Sequence, residues 1–113
     1  MNLESKPINR LSGEVVCPGD KSISQRILII GSFLNCDIQI SGFLDAEDPN
    51  STMMALNNLG SLIEKDDDVV LIRRRSKPFS NPDSFLDLGN SGTGMRLLTG
   101  FISGLNLEAT LIG

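Results

Sequence analysis

The sequence predicts a mixed α/β fold in which short strands and amphipathic helices follow a β-α-β-α-β-β order that begins to repeat. Three observations carry this. Several short β-branched segments are bounded by Gly, Pro or Asp; three longer segments show helical apolar spacing; and the two kinds alternate along the chain. With 113 residues, 40% hydrophobic and 21% charged, the chain has the composition of a globular domain able to build a core.

Leu11 to Gly19 (LSGEVVCPG) reads as a strand entering a turn at Pro18-Gly19. In Ser22 to Leu34, Ile23, Ile27, Leu28, Ile29, Ile30, Phe33 and Leu34 cover much of a helix circumference, which suggests a helix packed on more than one side and ended by Asn35. Ile38 to Leu44 is a second strand. The next helix is expected to start with Asp48 as cap and Pro49 in the first turn, to bury Met53, Met54, Leu56 and Leu59, and to close at Gly60. Ser61–Lys65 and Val69–Arg73 flank an acidic turn, Asp66-Asp67-Asp68, as two strands of a hairpin. After a polar loop, Phe85–Leu88, Gly92–Gly104 and Leu107–Ile112 read as strand, helix and strand, the opening of a second unit that halts at Gly113.

Composition removes several functional classes. No histidine is present, and Cys17 and Cys36 stand nineteen positions apart without a Cys-x-x-Cys pair, so no usual zinc or redox motif can be assembled; both are expected to be small, reduced core residues. The net charge of −4, the lack of Trp and Tyr and the single basic run Arg73–Arg75 argue against nucleic acid; that run is read as a solvated edge. No apolar leader or membrane-length run occurs, which places the protein in the cytoplasm or an equivalent reducing space.

Two glycine-bearing turns, each after a strand and opening a helix, are candidate anion sites: Gly19 to Arg26 (GDKSISQR) and Gly89 to Arg96 (GNSGTGMR). A helix N-terminus offers free backbone N–H groups and a partial positive charge to a phosphate or carboxylate. In the first turn Lys21 adds a mobile cation, while Ser22 and Arg26, four apart, project from one face with a hydroxyl and a guanidinium. The same residues also fit a plainer reading in which Ser22 caps the helix and the two cations are solvated. In the second turn Asn90, Ser91 and Thr93 supply side-chain hydrogen bonds, and Gly92 and Gly94 would allow a concave row of N–H groups; an ordinary glycine turn capped by Ser91 fits equally. Neither turn is a nucleotide fingerprint. Asp20 and Val15 stand where a P-loop needs glycines, and Leu97 where a dinucleotide motif needs one.

Taken together, PGDKSISQR (18–26), GFLDAED (42–48) and GNSGTGMRLL (89–98) resemble, in order and spacing, the N-terminal motifs of the 5-enolpyruvylshikimate-3-phosphate synthase family over nearly the whole chain. The resemblance implies the enolpyruvyl transferase fold, an inside-out α/β barrel of repeated β-α-β-α-β-β units in two domains. It implies that residues 1–20 join the other domain, that 21–113 form part of a substrate-binding domain, and that the chain is an incomplete enzyme, inactive alone. The implied reaction passes the enolpyruvyl group of phosphoenolpyruvate to the 5-hydroxyl of shikimate 3-phosphate through a tetrahedral intermediate, releasing phosphate, in aromatic amino-acid biosynthesis.

By the same resemblance Lys21, Ser22 and Arg26 hold shikimate 3-phosphate, and Lys21, Gly92, Asn90 and Thr93 hold phosphoenolpyruvate. Asp45 is placed to orient Lys21 or Arg26, and Gln25, where related sequences often have histidine or asparagine, is assigned no role. No catalytic acid or base, metal or cofactor is assigned to this segment; glyphosate is the expected inhibitor, and the full-length protein is expected to be monomeric. A non-catalytic anion-binding module, and one half of a split transferase, are the other functional classes open to such a chain.

Overall fold

The computed structural model describes residues 1–113. Its elements are α1 (Lys21–Leu34), β1 (Ile38–Ile40), α2 (Glu47–Asn58), β2 (Leu62–Asp66), β3 (Val69–Arg73), β4 (Leu86–Asp87), α3 (Gly92–Gly104) and β5 (Leu111–Ile112). β3 lies in the middle of an antiparallel sheet of order β1-β3-β2, with Ile63 and Ile38 both opposite Ile72. Along β3, Val70 and Ile72 are buried while Arg73 is exposed, the alternation of a sheet with one covered face. β4 and β5 pair in parallel across the α3 crossover, with Leu86 opposite Leu111.

The core is made where helices meet this sheet. Leu28 from α1, Leu56 and Leu59 from α2, Leu98 and Ile102 from α3, and Val70 and Ile72 from β3 are almost fully buried together. Gly31 lets α1 approach β3 closely, since a Cβ there would sit 2.6 Å from Ile72 Cδ1. α1 ends as expected, with Asn35 in the left-handed region at φ 52°.

Several expectations are corrected. Residues 11–19 form no strand: residues 1–18 are exposed and make no ladder, because no strand of the chain lies beside them. This arm lengthens the molecule to 59 Å and lifts the radius of gyration to 17.4 Å, against roughly 13 Å for a compact chain of this size. β1 stops at Ile40, and Met54 faces solvent on α2. α1 is not packed all round, since Ile23, Ile30, Phe33 and Leu34 are exposed. Cys17 and Cys36 are exposed rather than in the core, one on the unpaired arm and the other beyond the end of α1. The basic run is solvated at Arg73 and Arg74, as expected, but it does not lie on a sheet edge. Arg73 belongs to the central strand, and Arg75 stacks 3.7 Å over the Phe79 ring and donates to the Ser32 carbonyl at 3.2 Å.

Candidate active site

The two glycine-bearing turns are brought together at one end of the helical layer. α1 opens after Gly19-Asp20. Gly19 is required there because a Cβ would collide with the Gly42 carbonyl oxygen, so the turn lies flat against the Gly42–Leu44 backbone. Ser24 reinforces that contact, its hydroxyl accepting the Leu44 N–H at 3.2 Å. The cap is Asp20 rather than Ser22: its carboxylate accepts the Ile23 N–H at 2.7 Å. The Lys21 and Ser22 N–H groups find no acceptor within the chain and remain free at the helix mouth. Ser22 is half-buried there, and Arg26 is exposed.

α3 opens at the second turn with the bounds the sequence predicts. Ser91 is its cap, accepting the Gly94 N–H at 3.0 Å, and the Asn90 and Thr93 N–H groups have no acceptor in the chain. Gly89 makes the sharp bend at φ 55°. Gly92 faces open space, the nearest atom to an added Cβ being Arg96 Nη1 at 3.8 Å. Gly94 departs from expectation: it is buried, and a Cβ would lie 2.8 Å from Ser91 Oγ and 3.0 Å from Thr52 Oγ1, so its smallness serves packing rather than a concave anion cradle. An open depression of about 330 Å³ runs along Gly89, Asn90, Ser91, Gly92 and Met95.

α2 joins these turns through its own first residues. Asp48 does not cap α2, whose N-cap is Ala46 without a side-chain bond; its carboxylate instead pairs with Lys21 Nζ at 3.0 Å. Asp45 touches neither Lys21 nor Arg26. It accepts from Lys65 and from Asn50, and these bonds, with the Lys65 charge, hold its carboxyl below the usual value. Arg26 and Arg96 enter none of the ion pairs of the chain, so both guanidiniums are available to an anion.

Gln25, given no role from sequence, is fully buried between the three helices. Its Nε2 donates to Ser91 Oγ at 2.8 Å and to Thr52 Oγ1 at 3.1 Å. A polar residue in the apolar run of α1 was the available signal; its partners, 27 and 66 positions away, were not. The arrangement therefore sets two polarised helix mouths side by side, with Lys21 and two free guanidiniums around them. Such a surface suits small ligands carrying more than one anionic group.

Helices packed on a three-stranded antiparallel sheet, beside a separate parallel pair, thus set two helix-opening turns next to each other. The family model described as EPSP synthase (3-phosphoshikimate 1-carboxyvinyltransferase) matches residues 5–113, and the chain belongs to this family. The 3-phosphoshikimate 1-carboxyvinyltransferase of Streptococcus uberis is 46% identical over 106 residues, covering 91% of this chain and 24% of the relative. That of Geobacter sp. (strain M21) is 41% identical over 99% of this chain and 26% of the relative. The solved EPSP synthase from Acinetobacter baumannii superposes with a TM-score of 0.72 at 38% identity, covering 80% of this chain and 21% of that one. The chain thus spans about a quarter of the length of the curated relatives it matches.

Proposed function

We propose that this chain is the substrate-gripping N-terminal segment of a 3-phosphoshikimate 1-carboxyvinyltransferase. The turn at α1 holds shikimate 3-phosphate through Lys21, Ser22 and Arg26, and the turn at α3 holds phosphoenolpyruvate through Asn90, Gly92 and Thr93, with Lys21 reaching both. The observation that carries this is the bond from Gln25 to Ser91 at 2.8 Å, which ties the two helix mouths into one surface. Two anionic substrates that must react with each other need two positively polarised receptors at a fixed, short separation. During addition of the 5-hydroxyl to the enolpyruvyl carbon and departure of phosphate, charge shifts among the oxygens, and the Lys21 ammonium with the free N–H groups of the two turns would follow it without reorganising.

Residues 21–113 are read as part of one domain and residues 1–20 as a segment joining another, in keeping with all helices and strands lying beyond Asp20. No metal or cofactor enters this reading. The full-length protein is read as a cytoplasmic monomer inhibited by glyphosate, for which open space at Gly92 leaves room.

The test is a graft in which residues 1–113 replace the corresponding quarter of the Streptococcus uberis relative. Phosphate release that requires both shikimate 3-phosphate and phosphoenolpyruvate is expected. A folded graft that binds both without releasing phosphate would instead support a non-catalytic anion-binding module, and one that binds neither would sink the site assignment.

A further inference from the structure

Gln25 lies between Lys21 and Arg26 in the chain, yet its side chain turns away from them into the protein. There the Nε2 group reaches Ser91 Oγ at 2.8 Å and Thr52 Oγ1 at 3.1 Å, with the Asp48 carbonyl at 3.5 Å. The Thr52 hydroxyl donates a hydrogen bond to the same Asp48 carbonyl at 3.2 Å, and Ser91 Oγ accepts one from the Gly94 N–H at 3.0 Å. A single amide therefore meets the first turn of α2, which carries the Asp48 partner of Lys21, and the cap of α3. Gly94 fits against this amide, an added Cβ lying 3.2 Å from Nε2. The Gln25 Oε1 atom is buried without a partner, so the amide is held by what it donates, not by what it accepts.

We propose that Gln25 is a positioning residue that sets the spacing and angle between the two anion-receiving turns. Resting on the assignment of the turns to two substrates, this deepens it: the register between nucleophile and electrophile is carried by a side chain that touches neither. One donated bond from this amide holds the Ser91 oxygen, and through it the α3 mouth, against the α1 mouth, while the other fixes the amide to Thr52 of α2. An apolar side chain of similar size would fill the volume and leave the turns unlinked.

The clamp is read first on the 113-residue chain, by amide hydrogen exchange at Gly94. Gln25→Leu should raise the Gly94 exchange rate about tenfold, the worth of one hydrogen bond, while the Ile63 amide, bonded to Asn57 Oδ1, stays unchanged. A rise common to both amides would mean general loosening and overturns the proposal, as does no rise at Gly94.

Gln25→Glu supplies a second readout. A buried carboxyl donates only when protonated, and burial raises its pKa, so Gly94 protection should approach that of the unsubstituted chain as pH falls and be lost as pH rises. A flat profile overturns the proposal. In the graft, Gln25→Leu should lower kcat by about tenfold or more with smaller changes in KM, since ordering rather than contact is lost. Unchanged kcat in an active graft overturns the positioning role alone. An inactive unsubstituted graft counts against the transferase reading, and the clamp is then decided by exchange at Gly94.

Discussion

Lys21 Nζ lies 3.0 Å from Asp48 Oδ2, so the first residue of α1 is tethered by the first turn of α2. The pair is half open, with 52% of the Lys21 side chain accessible and 19% of that of Asp48. This geometry holds the ammonium at the mouth of the site while leaving part of it for a ligand.

Lys21→Met should therefore separate stability from function. An ion pair this exposed contributes roughly 0–1 kcal/mol, so urea unfolding of the chain should shift little. In the grafted transferase the same change removes the charge proposed to serve both substrates, and kcat/KM should fall roughly 10²-fold or more. Equal kinetics for the two forms would show that Lys21 is a surface cation only.

Gly92 and Gly94, two residues apart, should respond oppositely to the same methyl group. At Gly94 it would lie 2.8 Å from Ser91 Oγ and 3.0 Å from Thr52 Oγ1, and Gly94→Ala should cost about 1–3 kcal/mol by thermal unfolding. At Gly92 the nearest atom is 3.8 Å away, so Gly92→Ala should leave Tm unchanged or slightly raised and appear as weaker binding of phosphoenolpyruvate and of glyphosate in the graft. Identical effects on Tm at both positions would contradict the packing described.

Asp45 gives an acid-side signature. Hydrogen bonds from Lys65 and Asn50, with the Lys65 charge, hold its carboxyl below the usual value of 3.8. A carboxyl whose pKa falls on folding contributes stability in full above its unfolded value and loses it as pH drops through the folded one. Stability curves of the chain and of Asp45→Asn should thus differ above pH 3.8 and converge below it. Curves that stay parallel through this range would show that the Lys65 contact does not form in solution.

What could be read along the chain was local. The limits of α3 follow from Ser91 before it and from its apolar spacing, and Asn35 ends α1 because it tolerates the left-handed conformation. Caps were harder where acidic residues stand close together: Asp48 lies one residue inside α2 and spends its carboxylate on Lys21, a partner 27 positions back. Leu11–Gly19 has strand composition, but strand formation needs a neighbour, which composition does not supply. Both helix-opening turns were legible as candidate anion sites from glycine placement and donor types. Their adjacency was not, because it depends on Gln25 meeting Ser91 across 66 residues.

The stacked Arg75 has a mechanical meaning for the same two helices. Its guanidinium binds the Ser32 carbonyl near the end of α1 and covers Phe79, whose ring meets Phe101 of α3 edge-on at 5.2 Å. α1 and α3 are thus fastened twice, by an amide rung at Gln25 and an aromatic rung about 10 Å further along α1. Two rungs stop a pivot that one would permit. With the aromatic rung loosened, α1 could swing on Gln25 as on a hinge pin, and an ångström of play at Phe79 would become angular error at the helix mouths. Residues remote from both turns would in this way share in setting the angle between them.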